Sequence, residues 1–126
     1  MRLILIQDVI KVRGWQVAPF EIEACLLTHP AIEDAAVVGV QLPGCVEVPR
    51  AYVVINQSTG GIKDIEEEII QYVRDRLAKY KAITGGCRIV GRIPKNPTGK
   101  ILRGILKERA RLEVLEVSKL KRGLVV

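Results

Sequence analysis

A chain of 126 residues with 48% hydrophobic side chains has material for one core and too little length for a multidomain enzyme. Aromatics make up only 4%, so the core must be aliphatic, and the stacking platforms that single-stranded nucleic acids need are scarce. The formal net charge of +6 favours anionic partners such as phosphates, nucleotides or acidic protein surfaces without choosing among them.

Cys25, Cys45 and Cys87 are an odd count at wide spacing, which excludes a disulfide framework, and the single His29 excludes a zinc pattern. Reduced thiols in a cytoplasmic protein are expected, with Cys25 and Cys87 in the core. His29 precedes Pro30 in a turn and is expected at the surface or in a cap rather than as a ligand. No run is long or apolar enough to span a bilayer. The opening Met1 to Ile6 is too short for the apolar region of a signal peptide.

In chain order, residues 3–6 and 9–13 read as two short strands around Gln7-Asp8, a hairpin over residues 1–13. Gly14 ends it, and Gln16 to Pro19 read as a loop. Pro19 suits the first turn of a helix, with Glu21 and Glu23 near its positive end. That helix runs to Leu27 and buries Ile22, Leu26 and Cys25. Ala35 to Val40 is wholly apolar and reads as a buried strand, as does Ala51 to Ile55. Leu42 to Pro49 between them, with Pro43, Gly44 and Pro49, reads as a loop.

Asn56 to Lys63 is a flexible connection, and Asp64 caps a helix to Lys79. Ile65, Ile69, Ile70, Val73 and Leu77 fall on one face of that helix. Gly85-Gly86 breaks the chain before a third strand, Cys87 to Val90. A last helix starts at Ile101 with Ile101, Leu102, Ile105 and Leu106 as its apolar stripe. Residues 14–115 then form the main domain, and 116–126 a frayed basic tail. The expected fold is α+β: a small three-stranded antiparallel sheet flanked by helices, with a short N-terminal β-hairpin.

Between the third strand and the last helix lies Pro94-Lys95-Asn96-Pro97-Thr98-Gly99-Lys100. Pro94 and Pro97 fix their own φ and push Ile93 and Asn96 towards extended conformations. Gly99 frees the backbone just before Lys100. The result is a stiff loop carrying Lys100 to the mouth of a helix, where a lysine binds an anion as a point charge. A polar turn with one solvated lysine fits the same residues equally well. A Walker A loop is excluded, because Ile101 follows Gly99-Lys100 where Ser or Thr is needed.

Two separated segments point the same way. Lys11-Val12-Arg13-Gly14-Trp15-Gln16-Val17-Ala18-Pro19-Phe20-Glu21-Ile22-Glu23 resembles the Lys-x-Lys/Arg-Gly-x-Gln-Val-x-Pro-x-Glu-Ile-Glu segment of the AMP-forming acyl-CoA synthetases, whose superfamily includes 4-coumarate:CoA ligases and luciferases. Pro94 to Lys100 resembles the same family's C-terminal Pro-Lys-x-x-x-Gly-Lys motif. The resemblance covers residues 9 to about 112 and only the family's small C-terminal domain.

The resemblance implies a two-step reaction. A carboxylate attacks the α-phosphate of ATP to give an acyl-adenylate and pyrophosphate. The small domain then rotates, and a thiol such as coenzyme A displaces AMP. By position, Lys100 matches the adenylation lysine, with Gly99 beside it. Lys11 and Gln16 match the basic and amide positions of the thioester-forming face. Gly14 would let the backbone approach the pantetheine channel. Trp15 would line that face or, equally, act as a lid over the first helix.

The implied partners are a large N-terminal domain that binds ATP, Mg2+ and the small-molecule carboxylate, and coenzyme A. No nucleic acid and no membrane span are implied. One departure stands out: the family's acidic hinge signature should fall near Ile4 to Gln7, and no acidic residue is there. With a start so near the hinge, an excised domain or truncated homologue is expected, without ligase activity by itself. A stand-alone nucleotide-binding or regulatory module is the alternative, and nucleic-acid binding through the basic tail rests on charge alone.

Overall fold

Two short strands, β1 (Ile10–Val12) and β2 (Trp15–Val17), form an antiparallel hairpin in the computed structural model, which describes residues 9–42, 46–56 and 62–125. Ile10, Val12 and Val17 point inward while Lys11 and Gln16 stay exposed, the period-2 alternation of a half-buried ribbon. The hairpin thus spans 10–17, and Gln16-Val17, expected in a loop, belongs to its second strand. The strand expected over 3–6 lies outside the described residues.

Helix α1 (Pro19–Leu27) follows, with Pro19 at its first turn and an extended Ala18 before it. It buries Ile22 and Leu26, as expected, and also Glu23. Strand β3 (Ile32–Leu42) and strand β4 (Val46–Ile55) pair antiparallel along nearly their whole length. Pro49, expected in a loop, therefore sits inside β4 opposite Gly39. Its carbonyl faces Gly85, beyond the end of the next strand, so its missing N–H breaks no ladder bond.

Helix α2 (Ile62–Arg76) then crosses to strand β5 (Cys87–Ile89), by way of a short 3-10 turn at Lys79–Lys81. β5 pairs with β4 in parallel. The sheet, in order β3-β4-β5, is mixed, and the expectation of a purely antiparallel sheet is corrected. β3 and β4 run in opposite directions, but the crossover through α2 makes β5 start at the same end of the sheet as β4, which gives the parallel pair.

The sheet is covered on both faces, which explains why Ala35 to Val40 is apolar without alternation. Ala35 and Val37 join Ala51 and Val53 in one core with the hairpin, α1 and α2. Ala36, Val38 and Val40 join Tyr52 in a second core with Ile93 and helix α3 (Arg103–Val125). On α2 the expected stripe holds: Ile65, Ile69 and Val73 are buried and Ile70 is partly so, with Leu77 packed just past the helix end.

On α3 the stripe is different. Leu106 and Ala110 are buried with Val114 packed beside them, whereas Ile105 is 56% exposed. The i, i+4 series from Leu106 stays apolar, while the one from Ile105 runs into Arg109. Ile101 is held in a bridge with Lys95, so the helix begins two positions later than expected. The helix continues to Val125 where a frayed tail was expected.

His29 is buried rather than at the surface, and its ring takes the capping role that was the other expectation. Its Nδ1 accepts the Ala31 N–H at 3.0 Å, and its Nε2 lies 2.9 Å from Glu68 Oε2. The ring packs edge-on against Tyr72 of α2, and both nitrogens are satisfied there. Cys25 and Cys87 are free thiols. Burial, reinforced by nearby Glu66, pushes the Cys87 thiol up to about 12, so it stays protonated. Among the described residues no helix is long and apolar enough to cross a membrane.

Candidate functional site

Two exposed surfaces carry the residues singled out by sequence, one on each side of the sheet. The first is the hairpin. Arg13 (φ 49°) and Gly14 (φ 87°) form its two-residue turn, and positive φ at both central positions is the type I′ pattern that matches strand twist. Lys11 and Gln16 are direct cross-strand partners on the exposed face. The Lys11 backbone N–H donates to Glu47 Oε1 at 3.0 Å, which ties β1 to β4 and leaves the ammonium outward. A Cβ added to Gly14 would meet nothing within 4 Å, so the approach to that backbone is open.

Trp15 lies against the 3-10 turn. Its ring stacks on Tyr80 of the 3-10 turn, centroids 4.4 Å apart and 14° from parallel, and the indole remains 56% exposed. The pair borders a groove of about 580 Å³ that Arg13 and Lys79 also line. An aromatic wall flanked by two cations suits a ligand that joins a flat ring to phosphates.

The second surface is the loop from Pro94 to Leu102. Its hub is Asn96. The Asn96 Oδ1 accepts the Thr98 N–H at 3.0 Å, the Thr98 hydroxyl at 2.7 Å and the Lys100 N–H at 2.9 Å. Asn96 N–H donates to Lys100 O, and Gly99 N–H donates to Asn96 O, each at 2.9 Å. Leu102 N–H closes the base on Pro94 O at 2.9 Å. Gly99, at φ 91°, supplies the left-handed residue that lets the chain return.

The stiffness read from the prolines is therefore completed by a side-chain hub. Lys100 is exposed, and its ammonium has no ion-pair partner among the described residues. Beneath the loop, Ile93 and Ile101 pack into the second core. Lys95 pairs with Asp34 of β3 at 2.7 Å. At the start of α3, Arg103 grips Glu23 of α1, Nη2 to Oε1 at 3.1 Å.

The structure brings Lys11, Gly14, Trp15 and Gln16 together, and Gly99 with Lys100, but it keeps the two groups on opposite faces. Sequence reasoning missed Tyr80, Arg103 and the central part played by Asn96. The last was accessible, since an asparagine two residues before Thr98 in an Asn-Pro-x-Gly turn is a strong Asx-turn former. No group of three His, Cys, Asp or Glu side chains among the described residues could hold a metal ion.

Residues 21–100 match the family model of the AMP-binding enzyme C-terminal domain. The chain belongs to that family. The phenylacetyl-CoA ligase epaB of Aspergillus niger is 49% identical over 104 residues, 82% of this chain and 19% of that protein. The 4-coumarate–CoA ligase-like 9 of rice (Oryza sativa subsp. japonica) is 48% identical over 103 residues, 82% of this chain and 18% of that protein.

Among solved structures, the Brucella canis acyl-CoA synthetase superposes with a TM-score of 0.75 at 35% identity, covering 82% of this chain and 19% of that one. The anthranilate CoA ligase AuaEII, in complex with anthranoyl-AMP, superposes with a TM-score of 0.79 at 29% identity, covering 87% and 21%. The AMP-binding enzyme C-terminal domain described here thus spans about a fifth of the length of these relatives. It is a C-terminal domain of the adenylate-forming superfamily, with an α+β fold shared with those ligases.

Proposed function

We propose that this domain is the mobile part of an AMP-forming acid–thiol ligase and presents a different face to each half-reaction. Lys100 serves the first. Its ammonium would balance the negative charge that develops between the attacking carboxylate and the α-phosphate of ATP, a stabilisation specific to the transition state. Lys11, Gly14, Trp15 and Gln16 serve the second, in which the thiol of coenzyme A displaces AMP. The observation that carries the reading is the Asn96 hub: it fixes the backbone of Lys100 by hydrogen bonds and leaves the ammonium uncommitted. A lysine delivered by domain rotation must arrive already positioned.

ATP, the acid and Mg2+ would bind on a large N-terminal domain, and among the described residues no group of three His, Cys, Asp or Glu side chains could hold the metal ion. The aromatic and cationic groove at Trp15, Tyr80, Arg13 and Lys79 suits the adenine and phosphates of coenzyme A. The free thiols of Cys25 and Cys87 accord with a cytoplasmic setting.

The test joins the chain to the large domain of a relative such as epaB and measures pyrophosphate release with phenylacetate and ATP. Adenylation should appear, and Lys100→Ala should remove it by about 10² or more, the scale of a lost transition-state contact. An unchanged rate in a folded Lys100→Ala chimera would show that Lys100 is not the adenylation lysine. The same groove favours a second reading, a module that binds nucleotides without turnover. Tight binding of coenzyme A or AMP by the isolated chain, with no adenylation in the chimera, would select it.

A further inference from the structure

β3 is the outer strand of its sheet, so alternate backbone groups point away from β4 with no strand to receive them. At Val37 two side chains take their place. The Val37 N–H donates to Glu23 Oε2 at 2.8 Å, and the Val37 carbonyl accepts from Arg103 Nη1 at 2.9 Å. Arg103 and Glu23 close the ring on each other through both guanidinium nitrogens and both carboxylate oxygens. Glu23 comes from α1 on one face of the sheet, and Arg103 from the first turn of α3 on the other. The pair is a strap around the free edge of β3.

Exposed ion pairs gain little, but this one is nearly buried, with side chains 18% and 10% exposed, bidentate, and completed by two backbone bonds. It also has a neighbour. Arg103 stands three residues after Lys100, and Lys95, at the other end of the same loop, is tied to Asp34. Both ends of the lysine loop are therefore fastened to one strand, at Asp34 and at Val37.

We propose that Arg103 and Glu23 are positioning residues for Lys100. By locking the start of α3 to the edge of β3 they set the direction in which the Lys100 backbone leaves the domain. Because Glu23 lies on α1, the helix that directly follows the hairpin, the strap also holds the two faces in one rigid relation while the domain turns. This rests on the adenylation reading and adds to it the residues that aim the lysine.

The loop's own amides report on the strap. Amide hydrogen exchange is followed by NMR in the full chain for Arg103→Met, Glu23→Gln, the double variant and Arg103→Lys. Exchange at Gly99, Lys100 and Leu102 should rise about tenfold or more in either single variant, as local opening becomes easier. The double variant should be no worse than Arg103→Met, and Arg103→Lys should recover part of the protection. Val73, in the other core, should not change. If only the Val37 amide loses protection and the loop amides keep theirs, the strap merely caps an edge and the proposal is overturned. Should Arg103→Met loosen Val73 as well, Arg103→Lys decides by the same readout.

In the ligase chimera, kcat of adenylation should fall with KM for ATP unchanged. An unaltered kcat alongside a loosened loop also overturns the positioning role. A wild-type chimera that makes no adenylate refutes the ligase reading instead, while the exchange pattern still decides whether the strap orders the loop.

Discussion

At the hairpin, Lys11 and Gln16 stand side by side on a two-strand ladder whose inward residues belong to the core, so their spacing follows from backbone pairing alone. At the other face, Lys100 stands on a loop with no ladder beneath it. Its place depends on one asparagine side chain, one bridge at Lys95–Ile101 and two ion pairs to β3 and α1. A flat surface that receives a ligand can be built from regular structure. A single charge that must reach into another domain has to project beyond the sheet, and loop backbone needs side chains to hold it.

The largest predicted effect breaks this comparison by half-reaction. In a ligase carrying this domain, Lys100→Ala should cost about 10² in adenylation and leave the thioester step from supplied acyl-adenylate nearly intact, the scale of one lost electrostatic contact. Gln16→Ala should do the reverse, with a smaller loss of about tenfold for one neutral hydrogen bond. Single-turnover assays of each step measure both. Equal losses in both steps for either variant would mean that the two faces do not work in turn. Asn96→Ala should match the smaller loss, lowering adenylation about tenfold by releasing the loop without removing the charge.

Acid should separate the two regions next. Glu113 on α3 joins Arg50 and Tyr52 of β4 and Arg109 of its own helix. Burial alone would raise its pKa, but the hydrogen bonds from Arg109, Tyr52 and Arg50 outweigh it and hold the carboxyl at about 2. A depressed folded-state pKa contributes stability that is present above the unfolded value of about 4.5 and is lost as pH falls through the folded one. The expected contribution is about 2–3 kcal/mol, disappearing between roughly pH 5 and pH 2. Because Glu113 anchors α3 and not the hairpin, the lysine side should loosen first. Denaturant unfolding against pH, with Glu113→Gln as the flat control, measures it.

Much of this was legible in the residues. The apolar runs of β3 and β4, the α2 stripe and the positions of Lys100 and Gly14 follow from periodicity and turn chemistry. What failed did so for identifiable reasons. Pro49 reads as a loop residue, yet a proline is harmless in a strand where its missing donor faces no neighbour. The direction of β5 depends on which end of the sheet α2 returns to, which no local pattern records. Buried Glu23 and half-buried Arg103 look like ordinary helix-end charges, because the partner of each lies 80 residues away. Trp15 required Tyr80, which lies in a segment without periodicity.

The smallest effect tests what the two surfaces share. Gly14 and Gly99 both hold positive φ, and an added Cβ at either would touch nothing within 4 Å. Their substitution therefore carries a conformational cost and no steric one. Gly14→Ala and Gly99→Ala should each destabilise by about 1 kcal/mol. Gly→Asn at either site should cost only a few tenths, since asparagine tolerates the left-handed region. Thermal melts of the four variants give these values. The comparison sharpens in activity. The ladder should keep Lys11 and Gln16 aligned when Gly14 is replaced, so adenylation should keep its rate and only the thioester step, which uses the open backbone there, should slow. At Gly99 the turn is also what brings the Lys100 amide back to Asn96, so alanine there should slow adenylation as well. If both alanine variants are equally active in adenylation, the loop is as self-sufficient as the hairpin, and the hydrogen-bonded hub is not what aims the lysine.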